Sequence, residues 1–492
     1  MGMRDDLTDV PGFRVGSAED LEACTGCTVV LCPPDGAVGG VEQRGGAPGT
    51  RETDPLRPLH LVDRCHAVLL AGGSAFGLDA AGGVARYLER HGIGFPTRAA
   101  RVPIVPAAVI YDLAVGRPDV RPDAAMGEVA CLEAERGGKI RQGNAGAGCG
   151  ATVGKVHGLE CAMKGGLGSA SSEVVPGIIV GALTIVNAFG DIIDPAGGRI
   201  LAGARLPGSK PNTPAFADTI SVLRALGGRP LAFAPPTNTV LAVVATNTRL
   251  DKEGANILAG MATAGLSRAI RPVHTMVDGD TVFALSFGER ACDVSLLGAV
   301  AAETMTRAIV NAVLRAKALE GLPCASEIRL PEGGLRIRGG GPADADAVVA
   351  VARDLPEWFV PKAEIEVRGD MARYGSLIAE IEGRAVGFLI HGPSALHPEP
   401  RLLQVHWMGV ARSHRGCGVG QALMRCLEEI CRAQGGGTIE LWTVAETEYY
   451  PPYADTRAFY HACGYEDFYT DATARDRIGC EILTLRKRIA GT

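Results

Sequence analysis

Short runs of β-branched and apolar residues recur along the first two thirds of the chain: CTVVLC, HAVLLAGG, GIIVGALTIVNAFG and NTVLAVVATN. Most are apolar at successive rather than alternate positions, the pattern of strands buried on both faces. Between them lie longer Ala/Leu segments with helical spacing, among them ANILAGMATAGLSRAI and LLGAVAAETMTRAIVNAVLRAKALEG. The alternation predicts a layered α/β domain. It breaks at LPEGGLRIRGGGPADADA, residues 330–347, where glycines and a proline flank a short strand, Leu335–Arg338, and Asp344 precedes the apolar helical stretch AVVAVARDL. We therefore expect a first domain over residues 1–326, a linker over 327–334 and a second domain over 335–492.

A length of 492 residues exceeds one ordinary core and agrees with that division. Hydrophobic residues at 47% and charged residues at 21% are globular values that exclude a disordered chain. Lys+Arg 49 against Asp+Glu 55 leaves no basic field, so neither a nucleic acid nor a membrane surface is expected as partner. The N-terminus, MGMRDDLTDVPGFRVG, has no apolar stretch of signal-peptide type, and no window holds 18 uninterrupted apolar residues. A cytoplasmic protein is expected. Fourteen cysteines are spread mostly through apolar runs, and the CxxC of Cys24 and Cys27 lacks a second pair or a histidine at zinc spacing, so no metal is expected.

The run Val240–Ala245 follows Pro235-Pro236-Thr237-Asn238-Thr239. Two prolines end the preceding element and asparagine suits a tight backbone, so Thr239 opens a buried strand. In that place it is an ordinary β-former. It also suits a nucleophile freed by cleavage of the bond before it. The hydroxyl attacks the Asn238 carbonyl, the ester hydrolyses, and the liberated α-amine, with a reference pKa of ~7.7–8.0, serves as the nucleophile's own base. Two other signals read as tight turns. Gly72-Gly73-Ser74-Ala75-Phe76 lacks the last glycine of a nucleophile elbow, and GNAGAGCGATVG lacks the acidic residue that follows a dinucleotide loop.

Eight ordered blocks within residues 1–326 carry a wider likeness: LTDVPGFRVG, TVVL, AVLLAGGSAFGLDAAGGVARYLE, GNAGAGCGATVGK, MKGGLGSAS, VGALTIVNAFGDIID, NTVLAVVATN and RAIRPVHTMVDGDTVFALS. Together they resemble the L-aminopeptidase/D-esterase and nylon-oligomer hydrolase family. The resemblance implies an αββα sandwich like that of N-terminal-nucleophile hydrolases, with different connectivity, made as one chain that cuts itself into two associated pieces. It implies a cut between Asn238 and Thr239. A second Thr-Asn-Thr, Thr246–Thr248, follows the apolar strand, and a cut there would put the new amine at the wrong end.

By the same resemblance Lys164 in MKGGLGS is the active-site lysine, keeping the new amine unprotonated and orienting the hydroxyl. Asn187 supplies an oxyanion-hole donor, Asp278 and Asp280 orient Thr239, and Tyr111 in VIYDL lies on the substrate side. Read from the residues alone, Lys164 is as readily a solvated lysine before a glycine turn, Asn187 a satisfied core amide, and Asp278-Gly279-Asp280 a hairpin turn. The implied substrate is a small amide or peptide, no cofactor serves the hydrolase, and the processed heterodimer is expected to form a homo-oligomer.

In the second domain the strand HWMGV runs into Arg415-Gly416-Cys417-Gly418-Val419-Gly420 and then the amphipathic QALMRCLEEICRAQ. Glycines let the backbone approach closely, N–H groups and a helix N-terminus converge, and Arg415 adds charge, so a pyrophosphate fits. With the later ADTRAFYHACGY, this resembles the GNAT N-acetyltransferase superfamily, an α/β fold. The resemblance implies acetyl-CoA or another acyl-CoA as co-substrate, held by Val410, Arg415, Gly416, Gly418 and Gly420. It makes Tyr460 the acid that protonates the departing thiolate. No general base is assigned between Glu440 and His406. The expected protein is a self-processing Thr-type amidohydrolase fused to an acyltransferase. Two alternatives stay open: a first module that passes its acyl group to an amine instead of water, and a first module that is an inactive scaffold.

Overall fold

The apolar runs form strands. In chain order these are β1 (Arg14–Asp20), β2 (Thr25–Leu31), β3 (Ala37–Gly45), β4 (Thr50–Arg51), β5 (Arg64–Cys65), β6 (Ala67–Ala71), β7 (Ala107–Val109), β8 (Gly166–Val175), β9 (Ile178–Asn187), β10 (Thr239–Thr248) and β11 (Gly279–Arg290). They make two sheets, one of order β1-β2-β6-β7-β4 and one of order β8-β9-β10-β11-β3-β5. The computed structural model describes residues 5–195, 198–208, 216–226, 238–327, 335–359, 361–381, 383–394, 397, 399–414, 418–445, 451–475 and 480–491. It divides into two compact units, one of Met1–Pro211 with Phe216–Glu327, the other of Ile328–Thr492.

Strand alternation sorts each run between two cores. Val30, Val68 and Leu70 of one sheet meet Leu183, Ile185, Leu241, Val243, Phe283 and Leu285 of the other in a core between the sheets. The intervening Val29, Leu31, Leu69 and Ala71 face helices α1 (Ala80–Arg90) and α2 (Ala124–Arg136). On the outer side of the second sheet, α3 (Lys252–Ala262) covers β3, and α4 (Val294–Leu314) covers β8 and β9. The result is the four-layer αββα sandwich. Each buried Val, Leu or Phe contributes roughly 1.5–3 kcal/mol, so these doubly buried runs decide the layering.

Helix α4 starts at Asp293, whose side chain accepts the Leu296 N–H at 2.9 Å. By length and composition alone it could cross a membrane, yet its small residues Ala301, Ala308 and Ala312 are buried among those facing the sheet. The approach is close: a Cβ on Gly168 of β8 would lie 2.0 Å from the Ala308 carbonyl oxygen.

The second unit is built on one sheet. Its strands are β12 (Arg336–Gly339), β13 (Gly375–Ile381), β14 (Arg384–Pro393), β15 (Leu402–Val410), β16 (Gly437–Val444), β17 (Glu466–Asp471) and β18 (Ile482–Ile489), in the order β12-β13-β14-β15-β16-β18-β17. Helices α5 (Ala345–Arg353) and α6 (Pro361–Arg373) pack on one face, α7 (Val419–Ala433) and α8 (Pro451–Ala462) on the other. Parallel pairing of β15 with β16 covers only Leu402–Val405 against Thr438–Leu441, although both strands continue, so the sheet opens there.

Candidate active site

Thr239 is the first residue of β10, at the centre of the second sheet. Its neighbour Asn238 forms a parallel bridge with Asp278, and the Gly279 N–H donates to the Asn238 carbonyl oxygen at 3.0 Å. The Thr239 hydroxyl donates to that same oxygen at 2.5 Å. The carbonyl before the threonine is thus held between a backbone donor and the threonine's own hydroxyl. Asp278-Gly279-Asp280 is not a hairpin tip: Gly279 opens β11, and the turn is made just before it, where the Asp278 N–H reaches Thr275 O at 3.0 Å. Glycine is required at 279 because a Cβ there would sit 2.2 Å from Ala47 O.

Asn187 is the last residue of β9 and the register partner of Thr239. A fully buried amide must be hydrogen-bonded. Its Oδ1 accepts from Thr152 N at 3.0 Å, Thr152 Oγ1 at 3.2 Å and Lys155 Nζ at 2.8 Å, and its Nδ2 donates to Tyr111 O at 3.3 Å. Tyr111 therefore borders the site through its backbone, and the Gly279 N–H is a donor at the Asn238 carbonyl.

The lysine beside this cluster is Lys155. Burial lowers its amine to about 7, with the Asp278 carboxylate opposing the shift. Lys164, the lysine the resemblance puts in the site, is the register partner of Thr152. Its ammonium donates to Cys149 O at 2.7 Å, Ala151 O at 2.6 Å and Gly148 O at 3.4 Å, and among the described residues none of its bonds reaches Thr239, Asn187 or Asp278. Burial lowers it to about 8, and it clamps the turn that leads to Thr152 and Lys155.

Both acidic residues are buried at the strand head. Asp278 Oδ2 accepts from Thr275 N at 2.9 Å and Thr275 Oγ1 at 2.5 Å. Burial first, and the Asp280 charge second, raise its carboxyl to about 6. Asp280 Oδ1 accepts the Val240 N–H at 2.8 Å, and Oδ2 accepts from His274 Nδ1 at 2.7 Å. Sequence reading gave no role to Lys155, Thr152, Gly279 or His274: the first two lie in the block GNAGAGCGATVGK, read as a tight turn, and the last two in a block where Asp278 and Asp280 drew the assignment.

In the second unit Val410 ends β15, and Gly418, at φ +77°, caps α7. A Cβ on Gly418 would meet nothing within 4 Å, whereas one on Gly420 would meet Met408 and Phe459 at 3.1 Å. Gly418 thus borders open space beside the first-turn N–H groups of α7, while Gly420 permits internal packing. Arg415 and Gly416 lie outside the described residues. Tyr460 is buried in the core with its ring edge-on to Phe459 at 5.2 Å, and burial raises its hydroxyl. Glu440 is tied to Arg486 at 2.8 Å and His397 at 3.1 Å.

Four layers with a threonine at the head of a central strand define an αββα hydrolase sandwich, here followed by an acetyltransferase-type sheet. Residues 5–324 match the model described as peptidase family S58, and residues 346–465 match that of the acetyltransferase (GNAT) family. An uncharacterized aminopeptidase of Mycobacterium tuberculosis is 43% identical over 341 residues, 64% of this chain and 96% of that protein. A 6-aminohexanoate-oligomer endohydrolase of Kocuria sp. is 33% identical over 324 residues, 62% of this chain and 84% of that one. Among solved structures, a beta-aminopeptidase of Burkholderia sp. aligns at 21% identity with a TM-score of 0.47, covering 66% of this chain and 93% of that one. The chain belongs to peptidase family S58 and carries a GNAT acetyltransferase domain after the peptidase domain.

Proposed function

We propose that the first unit is a self-processing threonine hydrolase. Thr239 Oγ adds to the Asn238 carbonyl carbon while uncharged Lys155 accepts its proton, and Gly279 N–H supports the oxygen as charge develops. The C–N bond breaks as Lys155 returns that proton to the Thr239 nitrogen, which leaves as an amine, and the Asn238 acyl group is held as an ester. Water then cleaves the ester to an Asn238 carboxylate and a free Thr239 hydroxyl. The same hydroxyl, with the new α-amine as base, next opens the amide of a small substrate. Short peptides and ω-amino-acid oligomers are the class we favour, the second being that named in the Kocuria relative.

The observation that carries this reading is the 2.5 Å approach of Thr239 Oγ1 to the Asn238 oxygen, with Gly279 N–H 3.0 Å from that oxygen. Asn238 Oδ1, buried without a hydrogen-bond partner among the described residues, adds a cost of about 1–3 kcal/mol to the uncut junction. Mass spectrometry of denatured protein should find fragments 1–238 and 239–492, and Thr239→Ala should remain whole. A lasting full-length mass from the wild type would defeat the reading.

For the second unit we propose acyl transfer from acyl-CoA to an amine. The open space at Gly418, the first-turn N–H groups of α7 and the parting of β15 from β16 suit a pyrophosphate and its thioester arm. When bound, the co-substrate supplies an activated acyl group, and Tyr460 is the acid we favour for the leaving sulfur.

A further inference from the structure

Two adjacent residues, His274 and Thr275, grip the two active-site carboxylates separately. Thr275 serves Asp278 through its N–H and hydroxyl, at 2.9 and 2.5 Å. His274 serves Asp280: its ring Nδ1 lies 2.7 Å and its backbone N–H 3.2 Å from the same Oδ2. The other oxygen of Asp280 accepts the N–H of Val240 at 2.8 Å, the residue joined directly to the proposed nucleophile. A continuous path of hydrogen bonds therefore runs from the imidazole through Asp280 to the head of β10.

Three observations set this histidine apart from an ordinary loop residue. It holds φ at +58°, a left-handed conformation that non-glycine residues adopt rarely and at a cost. Its side chain is 15% exposed and that of Asp280 2%, so the contact is shielded from water. Its Nε2 is buried with no hydrogen-bond partner, so the bond to Asp280 is the one polar contact the ring makes among the described residues. The chain accepts backbone strain and an unpartnered nitrogen in exchange for that single bond.

We propose that His274 is a positioning residue of the threonine site: by donating Nδ1–H to Asp280 it fixes the carboxylate that holds the Val240 N–H, and so sets the attitude of Thr239 toward the Asn238 carbonyl. This rests on the reading of Thr239 as the nucleophile. It places no catalytic proton on His274.

The test is a cell-free synthesis time course of the full chain, following the appearance of fragments 1–238 and 239–492 for wild type, His274→Gly and His274→Asn. Glycine removes the donor and relieves the left-handed strain. Asparagine tolerates that conformation and keeps an N–H donor near the Nδ1 position. Loss of a charge-assisted bond predicts cleavage about ten- to a hundredfold slower in His274→Gly, with His274→Asn restored to within about threefold of wild type. In the mature enzyme the loss should fall on kcat and leave KM within about twofold. If the glycine chain is insoluble, His274→Gln, which carries its donor farther out, takes its place and should also be slow. Equal rates for wild type and both variants would overturn the inference while leaving the nucleophile in place. Glycine and asparagine variants equally slow would overturn it too, because the donor would then not be what matters. A wild type that never cuts would overturn both readings.

Discussion

At the scale of single residues, the two buried lysines differ in what they touch. Lys155 contacts Asn187, the register partner of Thr239, and Lys164 contacts three carbonyls of one turn. Lys155→Met should therefore slow self-cleavage at least about a hundredfold with little change in melting temperature. Lys164→Met should instead destabilise the fold by about 3 kcal/mol or more, since a buried network loses its charged donor. Thermal melts and a cleavage gel on the two variants distinguish the roles. The sign of the pH effect follows from the lowered amine of Lys155. Below about 7 it is protonated and cannot take the Thr239 proton, so cleavage should climb about tenfold per pH unit toward 7 and level off above it. Lys155→Arg, charged throughout, should stay uncut across that range.

At the scale of elements, the sandwich depends on how closely α4 lies on β8. Gly168 faces the Ala308 carbonyl, and Gly166 would place a Cβ 2.6 Å from Ala312 O. The helix backbone, not a movable side chain, occupies the space. Gly168→Val should therefore destabilise the first unit by at least about 3 kcal/mol, read as a lower urea midpoint with the slope unchanged. The same reasoning applies to Gly420. A larger residue there meets Phe459 and Met408, so it would report on packing of α7 before it reported on any ligand.

At the scale of the whole molecule, the cores of the two units share no residue. Their activities should therefore separate cleanly. Thr239→Ala should bind acetyl-CoA in calorimetry as wild type does. Arg415→Ala should weaken that binding roughly ten- to a hundredfold and leave fragments 1–238 and 239–492 forming at the normal rate. Cutting the chain should not part the pieces. β9 lies before the proposed cut and β10 after it, and they pair from Val180 with Thr246 to Asn187 with Thr239. Native sizing should show one species that only denaturant resolves into two.

Much was legible in the sequence because it is written in short range. Apolar runs and the position of Thr239 before Val240–Ala245 each depend on neighbours a few places away, and the strands and the head of β10 lie there. Which lysine contacts Asn187, beside Thr239, was not legible. Lys155 and Lys164 both stand beside glycines, and they differ only once the segment after Gly146 folds across the end of β9. Nor could sequence single out Gly279, whose contribution is a backbone N–H that any residue but proline carries, or His274, which reads as a loop histidine until Asp280 comes beneath its ring. Local patterning determined the layers and the place of Thr239. The donors around it were decided by tertiary structure alone, because a hydrogen bond acts over about 3 Å in space whatever the separation along the chain.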